Sequence, residues 1–175
     1  MLNVTTIMGG LGLFAATVAA MEGFAYGAHR WIMHGPGWFL HKSHHTARHG
    51  RWEWNDLYFL IFAAPSIALL LLGTRGSLGP WAVWVGAGIA GYGAIYLGFH
   101  DIIVHRRVAT GYVPRSAYMK RIVQAHRLHH VVETKRGAVS FGFLVARRPE
   151  ALKAELKRRA MAGVRQPGEQ GTAGK

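Results

Sequence analysis

Histidines in this sequence follow a spacing that occurs twice. The run H-R-W-I-M-H-G-P-G-W-F-L-H-K-S-H-H covers residues 29–45, and residues 100–130 repeat its two spacings, H-x4-H and H-x2-H-H. Histidines placed by local packing show no such duplication, and neutral imidazole is a common metal ligand, so we predict a centre of two metal ions. His49 fits neither spacing and is predicted not to be a ligand. The predicted ligands are His29, His34, His41, His44, His45, His100, His105, His126, His129 and His130.

Helix geometry makes two predictions about these boxes. Residues at i, i+3 and i+4 share a helix face, so His41, His44 and His45 should converge on one point, as should the second triplet in residues 126–130. Residues five apart lie about 140° round an α-helix. His29 and His34 should therefore reach different ions, or the helix should end between them. The second H-x4-H box poses the same choice.

The composition narrows the choice of metal. Ten ligands for two ions give about five each, which suits a redox metal with a free position better than a four-coordinate zinc site. The chain has no cysteine, so thiolate ligands, disulfides and Fe–S clusters are excluded. H-E-x-x-H and Glu-x-x-His are also absent, which argues against a zinc peptidase and a soluble di-iron protein. A membrane electron carrier with two haems remains a distant alternative, although its ligands would lie within the spans.

Three apolar stretches must position the boxes: residues 4–28, 57–73 and 80–99. Each is long enough to cross a bilayer as a helix. We therefore predict an all-α integral membrane helical bundle of about three spans, or four if residues 100–125 include a re-entrant segment, with a histidine-rich helical cap. Residues 1–162 are predicted to form a single domain. Residues 163–175 have the composition of a basic disordered tail.

The charges are distributed unevenly about these spans. With three spans, Arg75 is the only one of the 21 Lys and Arg residues on the side opposite the histidines. The positive-inside rule then predicts a protein of the cytoplasmic membrane with its metal site on the cytoplasmic side. Because the charge follows membrane topology, no nucleic-acid partner is predicted. Residues 149–162 should form a helix that lies on lipid headgroups, with Leu152 and Leu156 on its apolar face.

Basic residues near the second set of boxes have two interpretations. They could attract an acidic redox carrier, or they could bind membrane lipid headgroups. The residues concerned are Arg106, Arg107, Arg115, Lys120, Arg121 and Arg127.

Carboxylates near the boxes are candidates to hold the ligands in place. A ligating histidine usually donates its second ring N–H to a carboxylate or a carbonyl group. Glu22 lies about two turns before His29 in an apolar span, where an acid is costly, and Asp101 follows His100. Glu53, Asp56 and Glu133 also lie near boxes and are further candidates. The alternative for Asp101 and Glu133 is pairing with nearby arginine or lysine. No further catalytic residue and no organic cofactor site are predicted.

The four boxes resemble those of the membrane di-iron fatty-acid hydroxylase and sterol desaturase superfamily. Over residues 20–155, H-R-W-I-M-H-G, H-K-S-H-H, H-D-I-I-V-H-R-R, R-L-H-H and V-S-F-G-F-L are similar to the bacterial β-carotene 3-hydroxylases. The resemblance implies that the ten histidines bind two iron ions. It also implies O2-dependent hydroxylation at carbon 3 of a β-ionone ring, giving cryptoxanthin and then zeaxanthin from a carotenoid in the lipid phase.

The resemblance implies an electron supply as well. Electrons would come from a reduced ferredoxin-type donor that NAD(P)H supplies. The alternative within the same superfamily is a hydroxylase or desaturase of fatty acyl or sterol substrates with the same di-iron centre.

Overall fold

The chain folds into three long apolar helices and a cap of shorter ones. The computed structural model describes residues 4–46, 50 and 52–159. Its α-helices are α1 (Val4–Gly27), α2 (Trp38–His45), α3 (Leu57–Thr74), α4 (Trp81–Tyr96), α5 (Ala117–His130) and α6 (Pro149–Arg158). Two π-helical segments, Ala28–Met33 and Leu97–Val104, extend α1 and α4. No β-strand occurs in these described ranges, so the all-α prediction is confirmed.

Three helical stretches are long and apolar enough to cross a membrane. They are Val4–Met33, Trp54–Thr74 and Trp81–Val104, which confirms the three predicted spans. The described residues contain no fourth such helix, and residues 105–116 are not helical. The second stretch begins with a 3-10 turn, Trp54–Asp56. In that turn the Asp56 carboxylate accepts a hydrogen bond from the Glu53 N–H at 3.0 Å.

Helix α4 packs against both α1 and α3. Small residues on α4 permit this close approach. A Cβ on Gly88 would lie 2.6 Å from the Thr17 side chain on α1, and one on Gly86 would lie 3.0 Å from the Ser66 carbonyl oxygen on α3. Gly98, by contrast, has no neighbour within 4 Å of such a position. With α4 between its neighbours, the His34, Trp54 and Val104 ends of the spans lie on one side of the bundle.

Helices α2, α5 and α6 form the cap. Leu152 and Leu156 of α6 are buried against α5 and the segment after it, with Ala125, Val132 and Ala138. The prediction that this apolar face lies on lipid is therefore wrong, because protein covers it. The predicted helix to residue 162 is described only to Arg158. The predictions for His49 and for the tail at 163–175 concern residues outside those that the structure describes.

Candidate metal centre

Each H-x4-H box begins in a π-helical segment, and its second histidine is the residue directly after that segment. The N–H of His34 donates to the His29 carbonyl at 3.0 Å, and the N–H of His105 donates to the His100 carbonyl at 2.9 Å. An i→i+5 hydrogen bond places residues five apart one above the other on the same face. The predicted alternative of different ions is wrong, because it assumed α-helical geometry and each box contributes both its histidines to one group. The predicted helix end between the histidines is confirmed, since the π-helical segments end at Met33 and Val104.

The H-x2-H-H triplets divide between two sites. On α2, His41 and His45 point into one group of histidines, whereas His44 belongs to the other. Helix α5 does the reverse, since His129 joins the group that contains His41. The prediction that each triplet converges on one point is therefore wrong. The i and i+4 histidines of a triplet share a site, and the i+3 histidine lies far enough round the helix to reach the second.

The result is two compact histidine groups. The first histidine group is His29, His34, His41, His45 and His129, and the second is His44, His100, His105, His126 and His130. Within each group the ligand nitrogens lie within 4.8 Å of one another. The closest Nε2–Nε2 distances are 2.9 Å, between His44 and His100, and 3.0 Å, between His126 and His130. In the first group His34 and His129 approach to 3.1 Å.

Every ring of the first histidine group has an acceptor at Nδ1. Four of these acceptors are backbone carbonyl oxygens, at 2.7–3.0 Å, and the fifth is Asn55 Oδ1, 2.7 Å from His41. The carbonyls belong to Phe141, Lys135, Val132 and Val139. Because a carbonyl oxygen can only accept, Nδ1 carries the hydrogen and Nε2 of the neutral ring keeps its lone pair.

The second histidine group has carboxylate acceptors. His44 Nδ1 donates to Glu53 at 2.9 Å and His100 Nδ1 donates to Asp101 at 2.8 Å. Arg107 pairs with both of these acids, at 3.4 Å from Glu53 and 3.6 Å from Asp101, and also with Asp56 at 2.6 Å. Carboxylates that hydrogen-bond ligating histidines orient the rings and raise their basicity. Asp101 therefore lies where the sequence places it, next to a predicted ligand.

Burial favours neutral imidazole in the cap. Desolvation, with a smaller contribution from neighbouring histidines, lowers the pKa of His45 from 6.5 to about 3. The same causes, burial first, hold the pKa well below 6.5 for His44, His129 and His130. A neutral ring is the form that binds metal, so at neutral pH these histidines are in the state that a metal ligand requires.

The donor set fits a metal ion in each group. At metal–nitrogen bonds of about 2.1 Å, two ligands at a right angle are about 3.0 Å apart, whereas tetrahedral ligands are about 3.4 Å apart. The Nε2–Nε2 contacts of 2.9–3.2 Å match the right angle. Lone pairs that face one another at this distance repel unless a cation lies between them. Each group therefore suits an ion with more than four coordination positions.

Residues 139–145, here called the strap, cross the site without regular secondary structure. The Val139 and Phe141 carbonyls are acceptors for His129 and His29. The prediction that Glu22 hydrogen-bonds a ligand histidine is wrong. Its carboxyl group instead accepts hydrogen bonds from backbone N–H groups of the strap and from the Tyr92 hydroxyl.

An apolar cavity of about 430 Å³ lies beside the histidine groups, between α1, α3 and α4. Its wall includes Met21, Phe24, Phe62, Ile67, Ile89 and Phe143. Two hydroxyl groups that line the cavity donate hydrogen bonds to the protein backbone. Tyr58 donates to the Gly37 carbonyl at 2.9 Å, and Ser66 donates to the Gly86 carbonyl at 2.7 Å. Tyr96 joins the cavity to the second histidine group, because its hydroxyl lies 3.3 Å from His100 Nε2.

Comparison with known proteins identifies the family. The family model described as fatty acid hydroxylase matches residues 14–146, which is most of the chain. The chain belongs to the fatty acid hydroxylase family. This confirms the resemblance that the histidine boxes indicate. No solved structure matches the chain significantly.

Relatives within the fatty acid hydroxylase family include proteins from bacteria and plants. The β-carotene hydroxylase of Pantoea ananas is 50% identical over 144 residues, covering 82% of this chain and 81% of that protein. That of Pseudescherichia vulneris is 49% identical over 144 residues, covering 82% and 80%. The chloroplastic β-carotene 3-hydroxylase of an Oncidium hybrid cultivar is 35% identical over 164 residues, covering 89% of this chain and 53% of that protein.

Some contacts of the site are not predicted from residue types. Asn55 is not predicted, although it stands in the segment W-E-W-N-D together with Glu53 and Asp56, two of the candidate acids. The backbone carbonyl acceptors cannot be predicted from residue types, since every residue has a carbonyl group. Phe143 was noted only as part of the V-S-F-G-F-L motif, yet its ring lies 5.4 Å from that of His29 and 5.6 Å from that of His100.

Proposed function

We propose that this protein hydroxylates carbon 3 of carotenoid β-ionone rings, converting β-carotene to cryptoxanthin and then to zeaxanthin. The observation that carries the proposal is identity of 46–50% over most of the chain to bacterial proteins named β-carotene hydroxylases. The apolar cavity supports it, because a hydrocarbon ring has no polar group to satisfy. The cavity volume is within the range of small-molecule sites.

The proposed cofactors are two iron ions, one for each histidine group. His29, His34, His41, His45 and His129 would hold one ion, and His44, His100, His105, His126 and His130 the other. Iron would supply oxidation by O2, which an unactivated C–H bond requires and which zinc, having no redox chemistry, does not provide. Neutral, desolvated imidazoles in a dense donor set support this assignment.

The protein's own residues would then orient the centre and exclude water. Hydrogen bonds at Nδ1 hold each ring of the first histidine group with Nε2 toward the interior. Phe143 and Tyr96 line the cavity and also contact histidine rings, so a carotenoid ring bound in the cavity would lie beside the centre, in an apolar surrounding. Such desolvation prevents side reactions of a strong oxidant.

The proposed setting is the cytoplasmic membrane, with the histidine groups on the cytoplasmic side and a ferredoxin-type donor as partner. Among the Lys and Arg residues that the structure describes, all except Arg75 lie in the segments on the histidine side of the bundle. The exposed residues Arg106, Arg115, Lys120, Arg121 and Arg127 form a surface to which an acidic carrier would be attracted. Arg107 does not belong to that surface, because it is half-buried among acids.

Expression in bacteria that accumulate β-carotene tests the proposal. We expect zeaxanthin and cryptoxanthin in extracts, and we expect neither when His44→Ala is expressed at the same level. Unchanged β-carotene with folded, iron-loaded protein would contradict the proposal. The fatty acid hydroxylase family match favours one alternative, a fatty acyl or sterol substrate, and lipid analysis of the same cells distinguishes it.

A further inference from the structure

Glu22 is an acidic residue within the first span, Val4–Met33, where a carboxyl group is energetically costly. Its Oε1 accepts hydrogen bonds from three successive backbone N–H groups, those of Phe143 and Leu144 at 2.9 Å and of Val145 at 3.1 Å. Its Oε2 accepts from the Tyr92 hydroxyl at 2.7 Å. Successive N–H groups around one acceptor form an anion-binding nest. The carboxyl therefore ties the strap to α1 and α4.

The strap contacts both histidine groups. Its carbonyl oxygens at Val139 and Phe141 each lie 2.9 Å from an Nδ1, of His129 and His29 respectively. The Phe143 ring stacks on His29 of the first group with an interplanar angle of 9°, and its centroid is 5.7 Å from that of His126 in the second. A shift of the strap would therefore disturb both groups and the wall of the cavity.

The conformation of the strap depends on contacts outside it. It has no helix or strand hydrogen bonds of its own, and Ser140 has φ of 60°, which is costly for a residue other than glycine. Gly142 leaves room for the carboxyl, since a Cβ there would lie 3.0 Å from Glu22 Oε1 and 2.7 Å from the Val145 carbonyl oxygen. The nest at Glu22 supplies the contacts that such a segment needs.

We propose that Glu22 is a positioning residue of the metal centre. It fixes the strap, and through the strap it sets the orientation of His29 and His129 and the place of Phe143 in the cavity wall. The inference rests on the proposed function only in that the histidines bind metal. Glu22 acts at a distance from the ligands, because its hydrogen bonds go to the strap and to Tyr92.

Three variants with a matched control test this role. In purified Glu22→Leu, amide hydrogen exchange across 143–145 should be about tenfold faster or more, because hydrogen bonds to a charged acceptor are lost. Affinity for Co²⁺, used as the probe metal, should fall about 10–100-fold, and the visible spectrum of bound Co²⁺ should change. Glu22→Gln should show smaller effects, since its amide oxygen still accepts but carries no charge. Tyr92→Phe should leave strap exchange near wild type.

Glu150→Leu is the control, because it removes an exposed carboxylate that lies outside the strap and the histidine groups. It should leave amide exchange and the Co²⁺ spectrum unchanged. Wild-type exchange and an unchanged spectrum in Glu22→Leu would overturn the proposal. If that variant does not fold, Glu22→Gln decides, and exchange across 143–145 equal to wild type would overturn it. If the wild-type protein binds no metal, the proposed function fails, whereas the exchange comparison still tests whether Glu22 holds the strap.

Discussion

Glu53 and Asp101 give the second histidine group an acidic environment, whereas the described acceptors of the first group are neutral carbonyl oxygens. Arg107 balances part of this charge. Burial alone would lower the pKa of Arg107, but its hydrogen bond to Asp56 and the charges of Asp101, Asp56 and Glu53 together raise it. A carboxylate acceptor makes an imidazole a stronger donor than a carbonyl acceptor does. We therefore expect the rings of His44 and His100 to be the more basic donors.

Replacing one of these acids should weaken metal binding. In Glu53→Gln the partner of His44 becomes neutral, so we expect metal affinity to fall about 10–100-fold. Competition for Co²⁺ against a chelator measures the change. Glu150→Gln, at an exposed position, should have wild-type affinity. Equal affinity in Glu53→Gln and wild type would contradict a role for this carboxylate.

The buried histidines should make the metal-free protein less stable in acid. The unfolded chain takes up protons near pH 6.5, whereas the folded protein keeps His45 neutral down to about pH 3. Between these values the unfolded state binds more protons, so the free energy of unfolding falls as the pH falls. Thermal unfolding of chelator-treated protein from pH 7.5 to 5 should show a decreasing midpoint. A constant midpoint would contradict the prediction.

At the scale of elements, the sequence predicts the spans well and the local helix type poorly. A long apolar stretch is stable in few forms other than a membrane-spanning helix. The predicted bounds of the three spans therefore agree with the observed bounds to within about five residues. The π-helical segments are not predicted, because the histidine spacing is interpreted with α-helical geometry and a π turn has no residue signature of its own. With that geometry assumed, His29 and His34 diverge, whereas the structure brings them into one group.

The division of the triplets could not be read from the sequence either. Residues i, i+3 and i+4 share a broad face, and only the arrangement of α2 against α5 decides which ring reaches which site. The acid at position 101 was predicted because its residue type is informative. Glu22 was singled out correctly as unusual within a span, but its partners are backbone N–H groups far along the chain, which no spacing indicates.

Helix α6 should support the metal centre by packing against α5. Leu152 is 1% exposed and packs with Ala125 and Val132 near the second triplet. Leu152→Ala should lower the free energy of unfolding of the cap by about 2–5 kcal/mol, as burial is lost and a cavity remains. Chemical denaturation monitored by tryptophan fluorescence measures it. Lys153→Ala, on the exposed face of the same helix, should differ little from wild type. Equal stability of both variants would contradict the packing role.

For the whole molecule, the absence of cysteine permits a test of orientation in the membrane. Ser77 lies in the turn between α3 and α4, and Thr110 lies in the loop after the second π-helical segment. If the histidine groups face the cytoplasm, a membrane-impermeant thiol reagent should label Ser77→Cys in intact spheroplasts and Thr110→Cys only after lysis. The reverse pattern would place the histidine groups on the outer side.

The exchange of histidines between α2 and α5 has a consequence for how the protein matures. Neither cluster has its full complement of rings until both helices have docked. Binding of the first ion must therefore offset the free energy needed to order both helices, and the second ion then binds to helices that are already in place. Cations should therefore be acquired together, with singly loaded molecules rare at every stage of filling. By the same logic, damage to one of these helices would empty both clusters at once.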